Sequence, residues 1–395
     1  MTQIDFKDNE QEGVEELRHL LKGTMSPELY ADTNMFLRFL RARNHDIRAA
    51  ENMLRNHINW RKLNRVDSIL QWYIPHEASR RFIPFTRIGV DHEGSPITYS
   101  TFGALDAKGL LKTIKITECL HFFINLLESD IFVMKEQSEK LNRNVDKWIH
   151  VLDFENFPLT LATHKPALEA ASKMLSMYEG NYPEHLKCAM IINASWYFQI
   201  AFTFIKPLIT GQTLNKVKIY GKDGWQEDLQ KIMDVNELPA FLGGNKTDPD
   251  GDPMCRTFIN HGGVVPECLY ALNRRVSLSG QPKVKKISIN RLSKVQIELH
   301  VLYPGAEIEW EFETKGKDIG FVLLYKESKY SSKEPIEVFP RQRVDTSIAS
   351  ESGVFKTEKA GNYYLEFDNT YSWIQSKEVY YRVNVTNPHQ QSNGA

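Results

Sequence analysis

No stretch of this chain reaches the roughly 18 uninterrupted apolar residues that a membrane-spanning helix requires. Its first residues, MTQIDFKDNEQEGVEEL, are acidic and carry no apolar run of the signal-peptide kind. Cysteine is sparse: Cys119, Cys188, Cys255 and Cys268 are the four among 395 residues, and they show no paired spacing. Such usage fits reduced thiols rather than a disulfide framework. The expectation is a cytoplasmic protein, on which the acceptor patterns Asn193-Ala-Ser195, Asn245-Lys-Thr247 and Asn384-Val-Thr386 are accidental matches to a glycosylation signal. Net charge is almost absent as well, at −1, so no overall field draws the chain to nucleic acid, and no nucleic-acid partner is expected.

The motifs of common enzymes are missing. There is no Gly-x-Gly-x-x-Gly, no phosphate loop, no His-Glu-x-x-His and no Gly-x-Ser-x-Gly. Asp248-Pro-Asp250-Gly-Asp252 resembles a calcium loop only superficially, because its glycine stands fourth rather than sixth and no glutamate stands twelfth. Cys255, His261 and Cys268 match no zinc-ligand spacing. We therefore expect no catalytic residue, no metal and no cofactor. A cryptic α/β enzyme stays open as an alternative, since ligands of open parallel sheets bind beyond the carboxyl ends of the strands. There this chain offers polar groups at Asp153-Phe-Glu155-Asn156, Asn193-Ala-Ser195 and Tyr220-Gly-Lys222-Asp223, without an evident nucleophile–base pair.

What the chain does contain is ordered by hydrophobic period. Val14, Leu17, Leu20 and Leu21 form one helical face stopped at Gly23, and Met35, Phe36, Phe39 and Leu40 form a second. Asp46 suits the N-cap of a third helix carrying Ile47, Ala50, Met53, Leu54, His57, Ile58 and Arg61. Basic residues crowd this region from Arg38 to Arg65. From about residue 95, strand patterns at 97–101, 148–153, 187–193 and 217–220 alternate with helical patterns at about 110–140, 165–179, 197–210 and after Trp225. That rhythm predicts crossovers and a largely parallel sheet. Residues 245–275 are rich in Gly, Pro and Asp and read as a connecting stretch. Beyond Pro282 the period becomes two, as in Val295, Ile297, Leu299 and Val301, and seven or eight short strands predict an all-β sandwich.

Two features carry functional information. The stretch from Ser195 to Thr210 is apolar or aromatic except for a narrow polar stripe of Gln199, Thr203 and Lys206. From Tyr197 to Ile209 it predicts a helix of about 20 Å. Such a helix must face apolar surroundings over most of its circumference, either as a buried core element or as a cover over a lipid cavity on one side that can dip into a membrane on the other. Pro207 and Gly211 stand where a hinge, or simply a terminator, would sit. The second feature is polar. Glu184 precedes the strand at 187–193, and Thr213 and Lys216 precede the strand at 217–220. With parallel strands all three lie toward the amino edge of the sheet, where they hold either a polar head group or a loop ion pair.

At FLRFLRARNHDIRAAENMLRNHINWRK (36–62), YEGNYPEHLKCAMIINASWYF (178–198), FIKPLITGQTLNKVKIYG (204–221) and ELPAFLGG (237–244) the sequence resembles the CRAL-TRIO lipid-transfer family. The C-terminal sandwich, with Trp310-Glu-Phe312 and Asp318-Ile-Gly-Phe321, resembles a GOLD domain. The resemblance implies a helical module (1–75), an α/β lipid-binding domain (76–246), a linker (247–275), a GOLD-like sandwich (276–386) and a disordered tail (387–395). It implies one hydrophobic ligand, a phospholipid such as phosphatidylinositol or an isoprenoid of the tocopherol or squalene type. It implies as well a transient membrane surface and a protein partner for the sandwich. By motif position Glu184, Thr213 and Lys216 are the candidate head-group residues. Ile191, Trp196, Tyr197, Phe198, Ala201, Phe202, Phe204, Ile205 and Leu208 are the candidate pocket and gate residues, with Pro207 and Gly211 as gate hinge. A lipid-sensing trafficking adaptor acting through the sandwich is the second reading.

Overall fold

The computed structural model describes residues 6–7, 10–270, 277–315, 318–328, 330, 332, 334–346 and 350–387. They divide into two compact units, Met1–Leu269 and Tyr270–Ala395.

The first unit begins with helices α1 (Glu10–Leu20), α2 (Pro27–Ala31), α3 (Thr33–Arg41) and α4 (Ile47–Leu63). Short polar side chains start them: Asp32 accepts from the Met35 amide and Asp46 from the Ala49 amide, satisfying donors a helix start leaves open. Their apolar faces meet in one core of Val14, Leu17, Met35, Phe36, Phe39, Leu40, Ala50 and Leu54. Leu20 departs from the face expected for it and is exposed. The basic run is mostly paired off. Arg41 reaches Glu10 at 2.8 Å, Arg55 reaches Glu51 at 2.7 Å and Arg61 reaches Glu128 at 3.0 Å.

Helices α5 (Ile69–Trp72) and α6 (Glu77–Phe82) lead to the sheet. Strands β1 (Thr86–Val90) and β2 (Pro96–Thr101) form an antiparallel pair, and β1 carried no sequence signal that we read. Then follow α7 (Ala107–Thr113), α8 (Ile116–Leu141), β3 (Trp148–Asp153), α9 (Leu159–Ala162), α10 (Lys165–Asn181), β4 (Leu186–Ile192), α11 (Trp196–Ile205), α12 (Gly211–Leu214), β5 (Val217–Ile219) and α13 (Trp225–Ile232). The sheet order is β1-β2-β3-β4-β5, and the three pairs from β2 to β5 are parallel. The sheet is therefore mixed, with a parallel majority. Every residue of β2 is buried, as expected of a strand covered on both faces.

The stretch read as a linker is packed over most of its length. Cys255, Ile259 and Val265 are buried, and Cys255 and Ile259 join the core with Ile88, Tyr99 and Trp225. Asn260 donates to the Ile83 carbonyl at 2.8 Å and the Arg80 carbonyl at 2.9 Å, while its own amide donates to Thr86. Composition misled here because Gly, Pro and Asp suit a hydrogen-bonded strap as well as a free tether. The remainder of the expected linker after residue 270, and the tail after 387, lie outside the described residues.

The second unit contains β6 (Lys285–Ile289), β7 (Lys294–Val301), β8 (Glu307–Thr314), β9 (Asp318–Lys326), β10 (Ile336–Asp345), β11 (Glu351–Lys356), β12 (Gly361–Asp368) and β13 (Lys377–Thr386). They form two antiparallel four-stranded sheets, ordered β10-β9-β12-β7 and β11-β8-β13-β6. Their inner faces share Trp310, Phe312, Phe321, Phe367, Val379 and Tyr381, with Phe312 and Phe321 centroids 4.8 Å apart. Gly353 pairs with Trp310 across β11 and β8. A Cβ there would stand 2.4 Å from the indole, so glycine is required by the ring that covers it.

Candidate functional site

The chain from Ser195 to Lys216 is the crossover from β4 to β5. Because those strands are parallel, it returns from the carboxyl end of the sheet to the amino edge. The expected single helix is broken. Regular α geometry ends at Ile205, a 3₁₀ turn covers Lys206–Leu208, and α12 begins at Gly211. Pro207 accounts for the break, having no amide proton to donate into the preceding turn.

Helix α11 buries one side only. Phe198, Ala201 and Phe202 are buried against Phe154, Phe157, Leu161, Ala162 and Ile191, with Tyr197 and Ile205 partly buried at the same cluster. Aromatic contacts run through it. Phe102 stacks on Phe154 at 5.0 Å, Phe154 meets Phe198 edge-on at 4.6 Å, and Phe198 lies 5.2 Å from Phe202. Among the described residues, the opposite side is not covered by protein. Gln199, Thr203 and Lys206 are exposed. So are Trp196 at 66%, Phe204 at 59% and Leu208 at 38%. Positions 196, 200, 204 and 208 recur at steps of four and so share one stripe.

At the amino edge, Glu184 and Lys216 meet: the Lys216 ammonium donates to Glu184 Oε2 at 2.9 Å, each side chain being about one-fifth exposed. Glu184 holds a left-handed backbone at φ 61°, an uncommon conformation for a residue with a side chain. Thr213 joins them through the main chain, its carbonyl accepting from the Lys216 amide at 3.0 Å. Its hydroxyl accepts from Thr210 at 3.0 Å rather than engaging the ion pair.

Sequence reading missed the contribution of the helical module to this corner. Gln212 on α12 donates to the Arg41 carbonyl at 3.1 Å and to Asn44 Oδ1 at 3.0 Å. Arg41 itself is held protonated above its ordinary range, first by its hydrogen bonds to Glu10 and in lesser part by the charge of Glu184. A cavity of about 350 Å³ opens between α4 and α10, lined among others by Arg43, Asn52, Asn56, Trp60 and Asn181; neither Glu184 nor Lys216 lines it. No periodicity signals such a cavity, because its lining comes from helices far apart in sequence.

Of the polar groups at the carboxyl ends of the strands, Asp153, Asn193 and Tyr220 are engaged in structure, while the buried Ser195 hydroxyl has no hydrogen-bond partner among the described residues. Asp153 accepts from Tyr99, Asn193 and the Glu155 amide, each at 2.8 Å, and Tyr220 donates to Asp228 at 2.7 Å. Asp248 of the calcium-like loop binds the Thr257 amide and hydroxyl.

Residues 81–244 match the family model of the CRAL/TRIO domain. The chain is 26% identical to Protein ctg-1 of Caenorhabditis elegans over 351 residues, covering 88% of this chain and 90% of that one. It is 30% identical to Protein real-time of Drosophila melanogaster over 260 residues, covering 65% of this chain and 38% of the longer fly protein. Among solved structures, Sfh5 aligns with a TM-score of 0.49 and 14% identity over 69% of this chain and 98% of that chain. No described helix is long and apolar enough to cross a membrane. Over residues 81–244 the chain thus matches a CRAL/TRIO domain, and the mixed sheet from β1 to β5 with its crossovers lies within that stretch.

Proposed function

We propose that the protein sequesters one hydrophobic lipid within its CRAL/TRIO domain and exchanges it at membrane surfaces by displacing the Trp196–Leu214 crossover. The observation that carries this reading is the two-sidedness of α11. Phe198, Ala201 and Phe202 cover an aromatic interior while Trp196, Phe204 and Leu208 remain in water. An ordinary core segment gains nothing by exposing three large apolar side chains on one side, whereas a gate that must dissolve transiently in a bilayer does. Pro207 lies within the non-α turn at which the segment would swing, and Gly211 follows it at the start of α12. Burying an acyl chain stabilises the closed complex by about 0.8 kcal/mol per CH₂, so no chemical step is needed to drive capture.

Glu184, Thr213 and Lys216 are the proposed head-group residues, and phosphatidylinositol is the phospholipid their charges suit. An apolar tocopherol- or squalene-like cargo would use the interior alone. The order of a CRAL/TRIO domain followed by a GOLD-like sandwich resembles supernatant protein factor, also called tocopherol-associated protein, and supports a cytoplasmic carrier that visits membranes. Native mass spectrometry of the purified full chain, followed by denaturing extraction, tests the reading. One equivalent of co-purified or loaded lipid is expected. Repeated failure to find or load any lipid would overturn it.

A further inference from the structure

The second unit carries an apolar tip of its own. At one end of the sandwich, the turn between β6 and β7 and the loop between β12 and β13 lie side by side. The Leu292 amide donates to the Ser372 carbonyl at 3.2 Å, and the Asn369 amide donates to the Ser293 carbonyl at 2.9 Å. The Asn369 side-chain amide fastens them further, reaching the carbonyls of Asn290 at 3.1 Å and Gln375 at 3.0 Å. Asn369 is itself buried, so the pair of loops is held from below. From this fixed base three large apolar side chains project: Leu292, Trp373 at 77% and Ile374 at 84% exposure. The protein has seven tryptophans, and a loop that leaves an indole and an adjoining isoleucine in water loses solvation free energy without a packing return.

The electrostatics of that rim select the partner. Arg291 adjoins Leu292, is exposed, and has no ion-pair partner among the described residues; Lys315 is exposed at the same end, where its amide donates to the Glu378 carbonyl. Asp318 is bracketed by two cations, Lys377 at 2.9 Å and Arg343. Both sit over the Tyr371 ring, Arg343 at 3.9 Å and Lys377 at 4.6 Å. Glu378 is matched by Lys286 at 2.6 Å. Among the described residues, Arg343 and the buried Lys377 share the carboxylate of Asp318, Asp345 lies opposite Asp318 in register, and Asp368 pairs with Arg341 at 2.9 Å, which leaves Arg291 and Lys315 as further exposed cations at the rim. The excess is positive and flanks the apolar tip.

We infer that the Leu292–Trp373–Ile374 tip, flanked by the exposed cations Arg291, Lys315 and Arg343, is an interfacial anchor that docks the β-sandwich onto an anionic phospholipid surface. An indole and two branched aliphatic side chains on convex loops suit the headgroup boundary of a bilayer, where an amphipathic ring and cations are both favoured. This surface belongs to the second unit and does not rest on the gate reading.

The test uses the full chain and phosphatidylcholine vesicles with and without phosphatidylserine. Co-flotation of Trp373→Ser/Ile374→Ser with the anionic vesicles should fall about tenfold, and that of Arg291→Glu about fivefold. Leu302→Ser, an exposed position at the opposite end of the sandwich, is the matched control and should bind as the wild type. Hydrogen exchange over residues 369–377 should slow when the wild type is bound. The assignment is overturned if residues 369–377 exchange at the same rate on and off vesicles that bind the protein. It is equally overturned if Leu302→Ser loses as much binding as the double variant, or if the double variant loses none. Because all four substituted positions are exposed, melting temperatures should not move; flotation that changes only with melting would also overturn it.

Discussion

The Gln212 side-chain amide bonds Asn44 Oδ1 at 3.0 Å, joining the end of the crossover to the turn between α3 and α4 across 168 residues of sequence. With the bond to the Arg41 carbonyl, it ties α12 to the helical module at the place where a swinging gate would have to part from it. Two partly solvated hydrogen bonds contribute about 1 kcal/mol in all. Gln212→Ala should therefore speed lipid exchange between vesicles about fivefold while leaving the melting temperature nearly unchanged. An unchanged exchange rate would mean that α12 stays docked throughout the cycle.

The two sides of α11 separate gating from packing. Phe204 is exposed, so Phe204→Asp costs the closed fold less than about 0.5 kcal/mol. It places a charge on the side proposed to enter the bilayer, and exchange should slow at least tenfold. Phe202 is buried beside Phe198, so Phe202→Asp buries an unpaired carboxylate and should destabilise the protein by about 3 kcal/mol or more. Urea unfolding and vesicle exchange on the same preparations distinguish them. Full exchange activity in Phe204→Asp would remove α11 from the membrane step.

Much of this was legible in the sequence because the periods were clean. The alternation in β7 and β8 and the 3.6-residue stripes of α3 and α4 each report a face, and faces decide layers. The Asp46 cap was visible for the same reason: a short acceptor before an apolar-periodic run has one local use. What escaped was non-local. The two readings of α11, core helix or two-sided cover, could not be told apart, since Trp196 and Phe204 look like core residues until the surface left uncovered is known. The strap at 247–269 looked like a tether because its anchors, Thr86 and Ile83, lie over 170 residues away. The Gln212–Asn44 tie and the Leu292–Trp373 tip likewise join residues that no spacing rule connects.

Acid should weaken the first unit well above the carboxylate range. His57, His150 and His185 are all buried. Burial, with the positive charge of Arg61 next in effect, holds His57 down at about 3. Burial alone lowers His150 to about 4, and burial lowers His185 well below its ordinary value. Unfolded, each takes a proton near its usual pKa of about 6.5. Between there and about pH 4 the unfolded chain therefore binds more protons than the folded one, and stability falls as pH falls. Each histidine removes about 1 kcal/mol between roughly pH 7 and 5.5. Urea unfolding should register a loss of about 3 to 4 kcal/mol, reduced by about 1 kcal/mol in His150→Gln. Stability that does not change over this interval would show that these rings accept protons without unfolding.

The Glu184–Lys216 pair admits two roles, and its partial burial makes them separable. As a structural tie it contributes about 1 kcal/mol, and removing either partner leaves the other charge half-buried. That loss would weaken every cargo alike. As a head-group site, Lys216 supplies positive charge for a phosphate, and Glu184 both orients the ammonium and accepts from lipid hydroxyls. Lys216→Ala should then lower phosphatidylinositol transfer about tenfold and leave transfer of an uncharged lipid within about twofold. Glu184→Gln, which keeps an acceptor and removes the charge, should fall between. Glu184→Gly adds a check, since glycine accepts the left-handed backbone at this position without strain. It should retain stability while losing phosphatidylinositol selectivity. Equal loss for both lipids in Lys216→Ala, with a matching drop in unfolding free energy, would assign the pair to the fold and leave the head-group site elsewhere.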